Sequence, residues 1–497
     1  MSTEIPEVID AATVPGWPAS VESVDVLVVG FGIAGGSAAL EAARAGARVV
    51  LLERAATPGG TTAMAGGHFY LGGGTAVQQA CGIEDSAEEM EKYLLAIAAD
   101  GLPTGTDVDP ETAAKIHAYC TDSVEHFDWV ESLGITFERS FFPGKAVIQP
   151  GTEGVMFTGN EKVYPFRDVA KPAPRGHKVP KPGDTGGAVM VIEALADQLE
   201  QTNAEIRYET GASNLVVEDG RVVGVAWRRF DERGYLRARS VIITAGGFVG
   251  NAEMVAEHVP LLGSGKLFPL ASTYDDGLGL RLGKSVGAEW RGMDKGFQTA
   301  PFYPPSILMT GIIVNKRGRR FAPEDSYHSR MSAFVLEQDD SEAYLIVDSE
   351  HIEMPSMPLT PFLDGYDTVE EMADGIGVPF DALEQTLNDY NKHAAAGEDP
   401  EFHKYHDWIA PQDKAPWGVI DLRLGKAMYA GFTMGGMRVD LDGRVQRADG
   451  SVIEGLYAGG ACAVNIAQDA KGYCSGMQLG EGSYFGRRAG KHAAGAR

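Results

Sequence analysis

A chain of 497 residues exceeds what one hydrophobic core ordinarily organises, so two domains, or one domain carrying a large insertion, are expected. Its 44% hydrophobic and 23% charged residues fit an ordinary globular protein, and a formal net charge of -26 repels nucleic acid and anionic membrane surfaces at long range. The same charge mildly disfavours a dianionic substrate, an effect that a local basic pocket can override.

The four cysteines, Cys81, Cys120, Cys462 and Cys474, show no C-x-x-C or metal-ligand spacing, so reduced thiols, no structural disulfide and no metal site are expected. The first twenty residues carry acids and prolines but no basic start followed by an apolar core, and no apolar run reaches membrane-spanning length. The expectation is a cytoplasmic protein without a transmembrane segment or a nucleic-acid partner.

Along the chain, residues 1–23 read as a ragged N-terminal extension. Residues 24–36, VDVLVVGFGIAGG, read as a buried parallel strand entering a Gly-rich turn, residues 35–45 as a helix and 47–53 as a second strand. Together they make a βαβ unit. Residues 87–98 and 110–133 have helical apolar spacing. Residues 142–184, broken by Pro and Gly, read as a long excursion whose basic island of Lys171, Arg175, His177, Lys178 and Lys181 is a solvated loop. Residues 187–201 predict a helix, and 205–227 with 235–244 predict a strand meander with a turn at Glu218-Asp219-Gly220. The meander ends in VIITAGGF, another strand entering a Gly turn. Residues 276–416 change to hairpins and helices, with Arg317, Arg319 and Arg320 on a solvated tip; the dinucleotide-fold texture returns near Thr433.

The chemistry begins at the first Gly turn. Gly30 permits the tight turn, Gly32 lets the backbone approach a pyrophosphate, and Gly35 lets helix and strand pack closely. Amides of the helix start, at Ile33 and Ala34, then face the phosphates. Glu53 ends the next strand twenty-three residues after Gly30, where an acid binds the adenosine ribose hydroxyls. A second small, hydroxyl-bearing turn follows at Gly59-Gly60-Thr61-Thr62 and Ala65-Gly66-Gly67, suited to pass along a ribityl chain and flavin ring. NAD enzymes do not need it, so FAD is the expected cofactor. Thr244-Ala245-Gly246-Gly247 and Gly455-Leu456-Tyr457-Ala458-Gly459-Gly460 repeat the logic. Any one of these could be no more than a tightly packed helix–strand junction; their joint order argues for the flavin.

These residues resemble the flavoprotein superfamily of fumarate reductases, succinate dehydrogenases and FAD-dependent 3-ketosteroid dehydrogenases. The carriers are the first Gly turn, GGTTAMAGG at 59–67, TAGGF at 244–248, DDGLGLRLGKSVGA at 275–288, TMGG at 433–436 and the terminal SGMQLGEGSYFGRRAG. The resemblance implies an α/β fold with an α+β insertion: a Rossmann-like FAD-binding domain, residues 24–275 and 417–497, split by an inserted catalytic domain, residues 276–416, with the active site between them. It also carries cofactor contacts onto Arg54, Ala212, Asp276, Ala461, Gly476 and Leu479. Gly60 stands where succinate dehydrogenases carry the histidine that bonds to flavin, which implies noncovalent FAD.

Departures from the superfamily point to the substrate. Fumarate reductases place an arginine near Tyr473 and a histidine pair just before TMGG, where this chain has Gly431 and Phe432, so the dicarboxylate clamp is missing. Arg330, after RRFAPED at 319–325, lies near the catalytic arginine of fumarate reductases. In place of the clamp stand Tyr473-Cys474-Ser475-Gly476 and Tyr327. The tyrosine-x-serine spacing resembles the Δ4-(5α) branch of the 3-ketosteroid dehydrogenases rather than the Δ1 branch, whose tyrosine is usually followed by Pro-Gly. Desaturation next to a ketone requires loss of an α proton and departure of a β hydride. A hydrogen-bonded relay of Tyr473, Ser475 and Tyr327 could share the proton load while donors polarise the ketone oxygen.

The expected function is FAD-dependent 4,5-desaturation of a 3-keto-5α-steroid or similar flat apolar ketone, with an unidentified electron acceptor. The alternatives are a Δ1-dehydrogenase, a reductase of an unsaturated acid such as fumarate or urocanate, and a binding protein that keeps the fold without redox turnover. Each candidate side chain also has a plainer reading. Tyr473 and Tyr327 could each be an interface aromatic with its hydroxyl at a wet edge, Ser475 a helix cap, and His328 stands too isolated to be a ligand.

Overall fold

The run SVDVLVV forms strand β1 (Ser23–Val29), and the computed structural model, which describes residues 3–100, 108–147, 149–183, 186–467 and 469–495, puts it in the middle of the main sheet. The chain turns at Gly30 into α1 (Ile33–Arg44) and returns as β2 (Val49–Leu52), parallel to β1 in the register Val26↔Val49 to Val29↔Leu52. Both strands are buried on both faces, which is why they read as continuous Val and Leu rather than as an alternation.

After a helical excursion the chain re-enters through α2 (Val189–Glu200) and β3 (Glu205–Arg207), parallel to β2. A meander follows: β4 (Gly211–Glu218), β5 (Arg221–Arg229) and β6 (Glu232–Ile243). Positive φ at Asp219 and Gly220 makes the β4–β5 connection the mirror-image turn whose twist suits a hairpin. The sheet forks at β6. Its first half pairs antiparallel with β5, and its second half lies between β1 and, much later in the chain, β9 (Val452–Ala458), parallel to both. Residues on either side of a long insertion thus build one sheet, as a split FAD-binding domain requires. The short strand Ile9–Asp10 adds to its far edge beside β4.

A separate four-stranded sheet is formed by Ile312–Asn315, Ala343–Val347, Phe362–Tyr366 and, beyond the expected insertion boundary at 416, Trp417–Asp421. At its junction with the nucleotide fold, β7 (Gly296–Thr299) pairs antiparallel with β8 (Tyr429–Thr433), with Phe297 opposite Phe432. Helix α3 (His328–Leu336) packs beside β7, and the C-terminal helix α4 (Met477–Gly495) packs along α1.

Three expectations need correction. Residues 110–133 are two helices, Pro110–Thr121 and Ser123–Ser132, because the chain kinks at Asp122. The basic island is not a solvated loop. Arg175, His177 and Lys178 are buried, and Arg175 forms a fully buried ion pair with Asp85 at 2.7 Å. Arg320 is likewise buried, held by Glu324 and Asp399 at 2.8 Å each, while Arg317 stays exposed. Asp85 and Asp399 come from distant parts of the chain, which composition cannot show.

The four thiols are free, and among the described residues no His, Cys, Asp or Glu cluster could hold a metal and no helix is long and apolar enough to cross a membrane.

Candidate active site

The carboxyl ends of β1, β2, β6 and β9 converge on one crevice, where parallel sheets bind ligands. At the β1–α1 turn Gly30 has φ +103°, and a Cβ there would lie 2.5 Å from Thr244 O. A Cβ on Gly35 would sit 1.9 Å from Gly30 O, so helix and strand touch backbone to backbone. A Cβ on Gly32 would come no nearer than 3.3 Å to anything, its nearest neighbour being Thr62 Oγ1. Two glycines are therefore needed for packing, and the middle one leaves a cradle open at the helix N-terminus, where Ile33 and Ala34 begin α1.

Side chains brace the cradle. Glu53, buried at the end of β2, accepts the Phe31 N–H and the Ala55 N–H, each at 2.7 Å, and its oxygens retain lone pairs for a diol. Thr62, on the short helix Gly60–Met64, accepts the Ile33 N–H at 3.1 Å, tying the second turn to the first. Ala65, Gly66 and Gly67 continue past that helix towards Val179 and Ala188. Thr244 Oγ1 donates to Val29 O and Gly30 O at 3.0 Å. Ala212, buried at the start of β4, lies next to Gly211, which faces the Arg54 side chain.

Arg54 pairs with Asp276 at 2.7 Å and stacks on Tyr274, while Thr61 donates to Asp275 at 2.8 Å and accepts the Ser272 N–H at 2.9 Å. Asp275 was not singled out in the sequence. It sits where a Cβ on Gly246 would be 2.1 Å from its carboxylate, and burial, with the neighbouring Asp276 charge, pushes its carboxyl up to about 6. Gly460 and Ala461 form the 3₁₀ turn after β9, and Gly476 and Leu479 sit at the start of α4. Backbone amides at a helix N-terminus, a bare glycine cradle and an acid at the end of β2 fit FAD.

The second half of the site is built from side chains. Tyr327 is the N-cap of α3 and Ser475 precedes α4, 148 positions on, yet the Tyr327 hydroxyl is hydrogen-bonded to Ser475 Oγ. Tyr473, largely buried, packs edge-on against Phe297 at 4.7 Å, and Phe297 stacks on Phe432 at 4.6 Å and 11°. His328 lies over the Tyr327 ring at 3.9 Å and meets Thr299 Oγ1 through Nδ1 at 2.6 Å; burial drops its pKa to about 3, so it is neutral. Tyr327 and Ser475 are thus brought into contact, while Tyr473, two residues before Ser475, packs against the apolar wall of Phe297 and Phe432. His328 completes that wall, and only the adjacency of these rings in space reveals it.

Arg330 is not part of this group. It forms an ion pair with Asp100, 3.2 Å from Arg330 Nη2 to Asp100 Oδ1, reaches Lys471 O, and is sandwiched between Phe166 and Phe334, each ring 4.9 Å away.

Against known proteins, a family described as an FAD binding domain matches residues 25–480. The crystal structure of 3-ketosteroid-Δ4-(5α)-dehydrogenase from Rhodococcus jostii RHA1, in complex with 4-androstene-3,17-dione, is 36% identical, covers 98% of this chain and 99% of its own, and superposes with a TM-score of 0.89. NADH:acrylate oxidoreductase of Vibrio harveyi is 28% identical over 95% of this chain, which spans half the length of that relative. The 3-oxosteroid 1-dehydrogenase of Mycolicibacterium smegmatis is 26% identical over 94% of this chain and 96% of its own length.

Proposed function

We propose that this chain, which belongs to the FAD binding domain family and is an FAD-dependent oxidoreductase, desaturates 3-keto-5α-steroids between carbons 4 and 5. The observation that carries the reading is the Tyr327–Ser475 hydrogen bond beside Tyr473, in a wall of Phe297 and Phe432 where an acid-binding site would need cations. The Rhodococcus neighbour, named for this reaction and solved with a 3-ketosteroid, supports the same choice.

Gly30, Gly32, Glu53, Thr62 and the turns after β6 and β9 would hold FAD, which would supply the hydride acceptor. The protein's own work is proton handling and exclusion of water. A free tyrosine, with a pKa near 10, is a poor base at neutral pH, and serine is poorer. A hydroxyl pair lowers that barrier by passing the proton on: Ser475 Oγ and the Tyr327 hydroxyl share one hydrogen bond, so the α proton taken up at one is matched by transfer of the shared proton to the other, which releases one proton to solvent. Tyr473 donates to the ketone oxygen, acidifying the adjacent carbon. Phe297 and Phe432 fit a flat apolar ring and keep the site dry, which strengthens both hydrogen bonds.

A reductase of an unsaturated acid needs a free cation to serve as proton donor. Arg330 is the residue in question, and its guanidinium is engaged by Asp100 and two aromatic rings. Anaerobic mixing of the oxidised protein with 5α-androstane-3,17-dione is expected to bleach the flavin band. No bleaching with any 3-ketosteroid, or rapid oxidation of the prereduced protein by fumarate, urocanate or acrylate, overturns the proposal. Formation of a 1,2-unsaturated product would assign the Δ1 reaction instead.

A further inference from the structure

Residues 158–161 lie in the Pro- and Gly-broken excursion for which the sequence suggested no role, yet Thr158, Asn160 and Glu161 are buried behind the hydroxyl pair. Thr158 takes both backbone groups of Ser475. Its carbonyl accepts the Ser475 N–H at 2.9 Å, and its Oγ1 donates to Ser475 O at 3.0 Å. Asn160 reaches the other partner, its Oδ1 accepting the Tyr327 N–H at 2.8 Å while Nδ2 points at Lys471 O, 3.5 Å away in the loop that leads to Tyr473. One short segment therefore grips both halves of a contact whose members are 148 residues apart.

That segment is itself anchored. The Asn160 N–H donates to the Tyr93 hydroxyl at 2.7 Å, and the same hydroxyl meets Cys474 Sγ at 3.4 Å. A Cβ on Gly159 would lie 2.7 Å from both Cys474 Sγ and the Tyr93 hydroxyl, so the backbone is pressed against the residue preceding Ser475. Glu161 closes the turn by accepting the Gly159 N–H and the Tyr70 hydroxyl, each at 3.0 Å.

We propose that Asn160, with Thr158, is a positioning residue that sets the Tyr327–Ser475 hydrogen bond; this rests on the function proposed above. A side-chain hydrogen bond between two separately folded elements cannot fix its own length, and a displacement of about 1 Å costs roughly a hundredfold in rate. The amide of Asn160 and the backbone clamp of Thr158 hold the two elements at one spacing without touching the substrate.

The test uses the FAD-loaded full chain. Asn160→Ala is expected to keep its flavin and to bind 4-androstene-3,17-dione within about threefold of wild type, read from the flavin spectrum, while the rate of flavin reduction by 5α-androstane-3,17-dione falls about 10- to 100-fold. In a Tyr327→Phe background the same substitution is expected to cost less than about twofold more, because the contact it positions is already gone. Thr158→Val, which conserves volume and removes only the hydroxyl donor, is expected to lose about 3- to 10-fold, and it carries the test if the Asn160 variant does not fold. An unchanged reduction rate in the variants, or an undiminished loss in the Tyr327→Phe background, overturns the positioning role while wild type still reacts. A wild type that no 3-ketosteroid reduces overturns the substrate reading itself.

Discussion

The cofactor cradle and the reaction centre are built by opposite means. The cradle is local and depends on missing side chains: six consecutive residues turn at Gly30, and a single methyl on Gly35 would lie 1.9 Å from Gly30 O. The reaction centre is non-local and depends on side chains that are present: Tyr327 and Ser475 arrive on different elements and meet, while Tyr473, two residues before Ser475, packs against Phe297 and Phe432. Damage to the first should therefore appear as lost cofactor, and damage to the second as lost rate with the cofactor in place.

The largest effect is expected at the cradle. Gly35→Val forces α1 away from β1, and the purified protein should carry little or no flavin by absorbance, or fail to fold. Next comes the hydroxyl pair: Tyr327→Phe and Ser475→Ala should each retain FAD yet slow anaerobic flavin reduction by about 10²- to 10⁴-fold, the usual contribution of a positioned proton acceptor. Loss of flavin in either hydroxyl variant would break the comparison, because it would make the two regions one.

Arg330→Gln should act on stability and spare the chemistry. Removing the guanidinium from between two rings and leaving Asp100 unpaired is expected to cost about 1–3 kcal/mol in denaturant unfolding, with ketone turnover within about threefold of wild type. A collapse of turnover with the fold intact would return Arg330 to the site.

The last effect is a pH dependence in α4, away from the reacting groups. Glu481, in the second turn of α4, accepts the Ile466 N–H at 2.6 Å, and burial pushes its carboxyl up to about 8 from an ordinary 4.5. The folded protein holds that proton over an interval in which the unfolded chain has released it. The stability it contributes is thus full below about 4.5 and lost as pH rises through about 8. Glu481→Gln cannot ionise, so the difference in Tm between variant and wild type should grow in favour of the variant from about pH 5 to 8. A constant difference would mean that this carboxyl does not titrate there.

Much of the cradle was legible because its determinants are close in sequence. The Gly spacing, the flanking apolar strand and Glu53 form one continuous pattern, and the turns at Thr244 and Gly460 repeat it. Asp275 was missed in favour of Asp276: two adjacent acids are equivalent in a string, and only the fold turns one to Thr61 and the other to Arg54. The buried fates of Arg175 and Arg320 were misread for a related reason, since a charged residue looks solvated until its partners, Asp85 for one and Glu324 and Asp399 for the other, are found.

By itself, then, the sequence determined a dinucleotide fold, its FAD-type turns and the three hydroxyl side chains available for proton transfer, because each is encoded by residue type and short-range spacing. Only the tertiary structure decided that Tyr327 meets Ser475, that residues 158–161 stand behind both, and that Arg330 faces Asp100. Those contacts join segments separated by well over a hundred residues. Their geometry is set by how the insertion packs on the sheet, a balance of many weak interactions that no local pattern records.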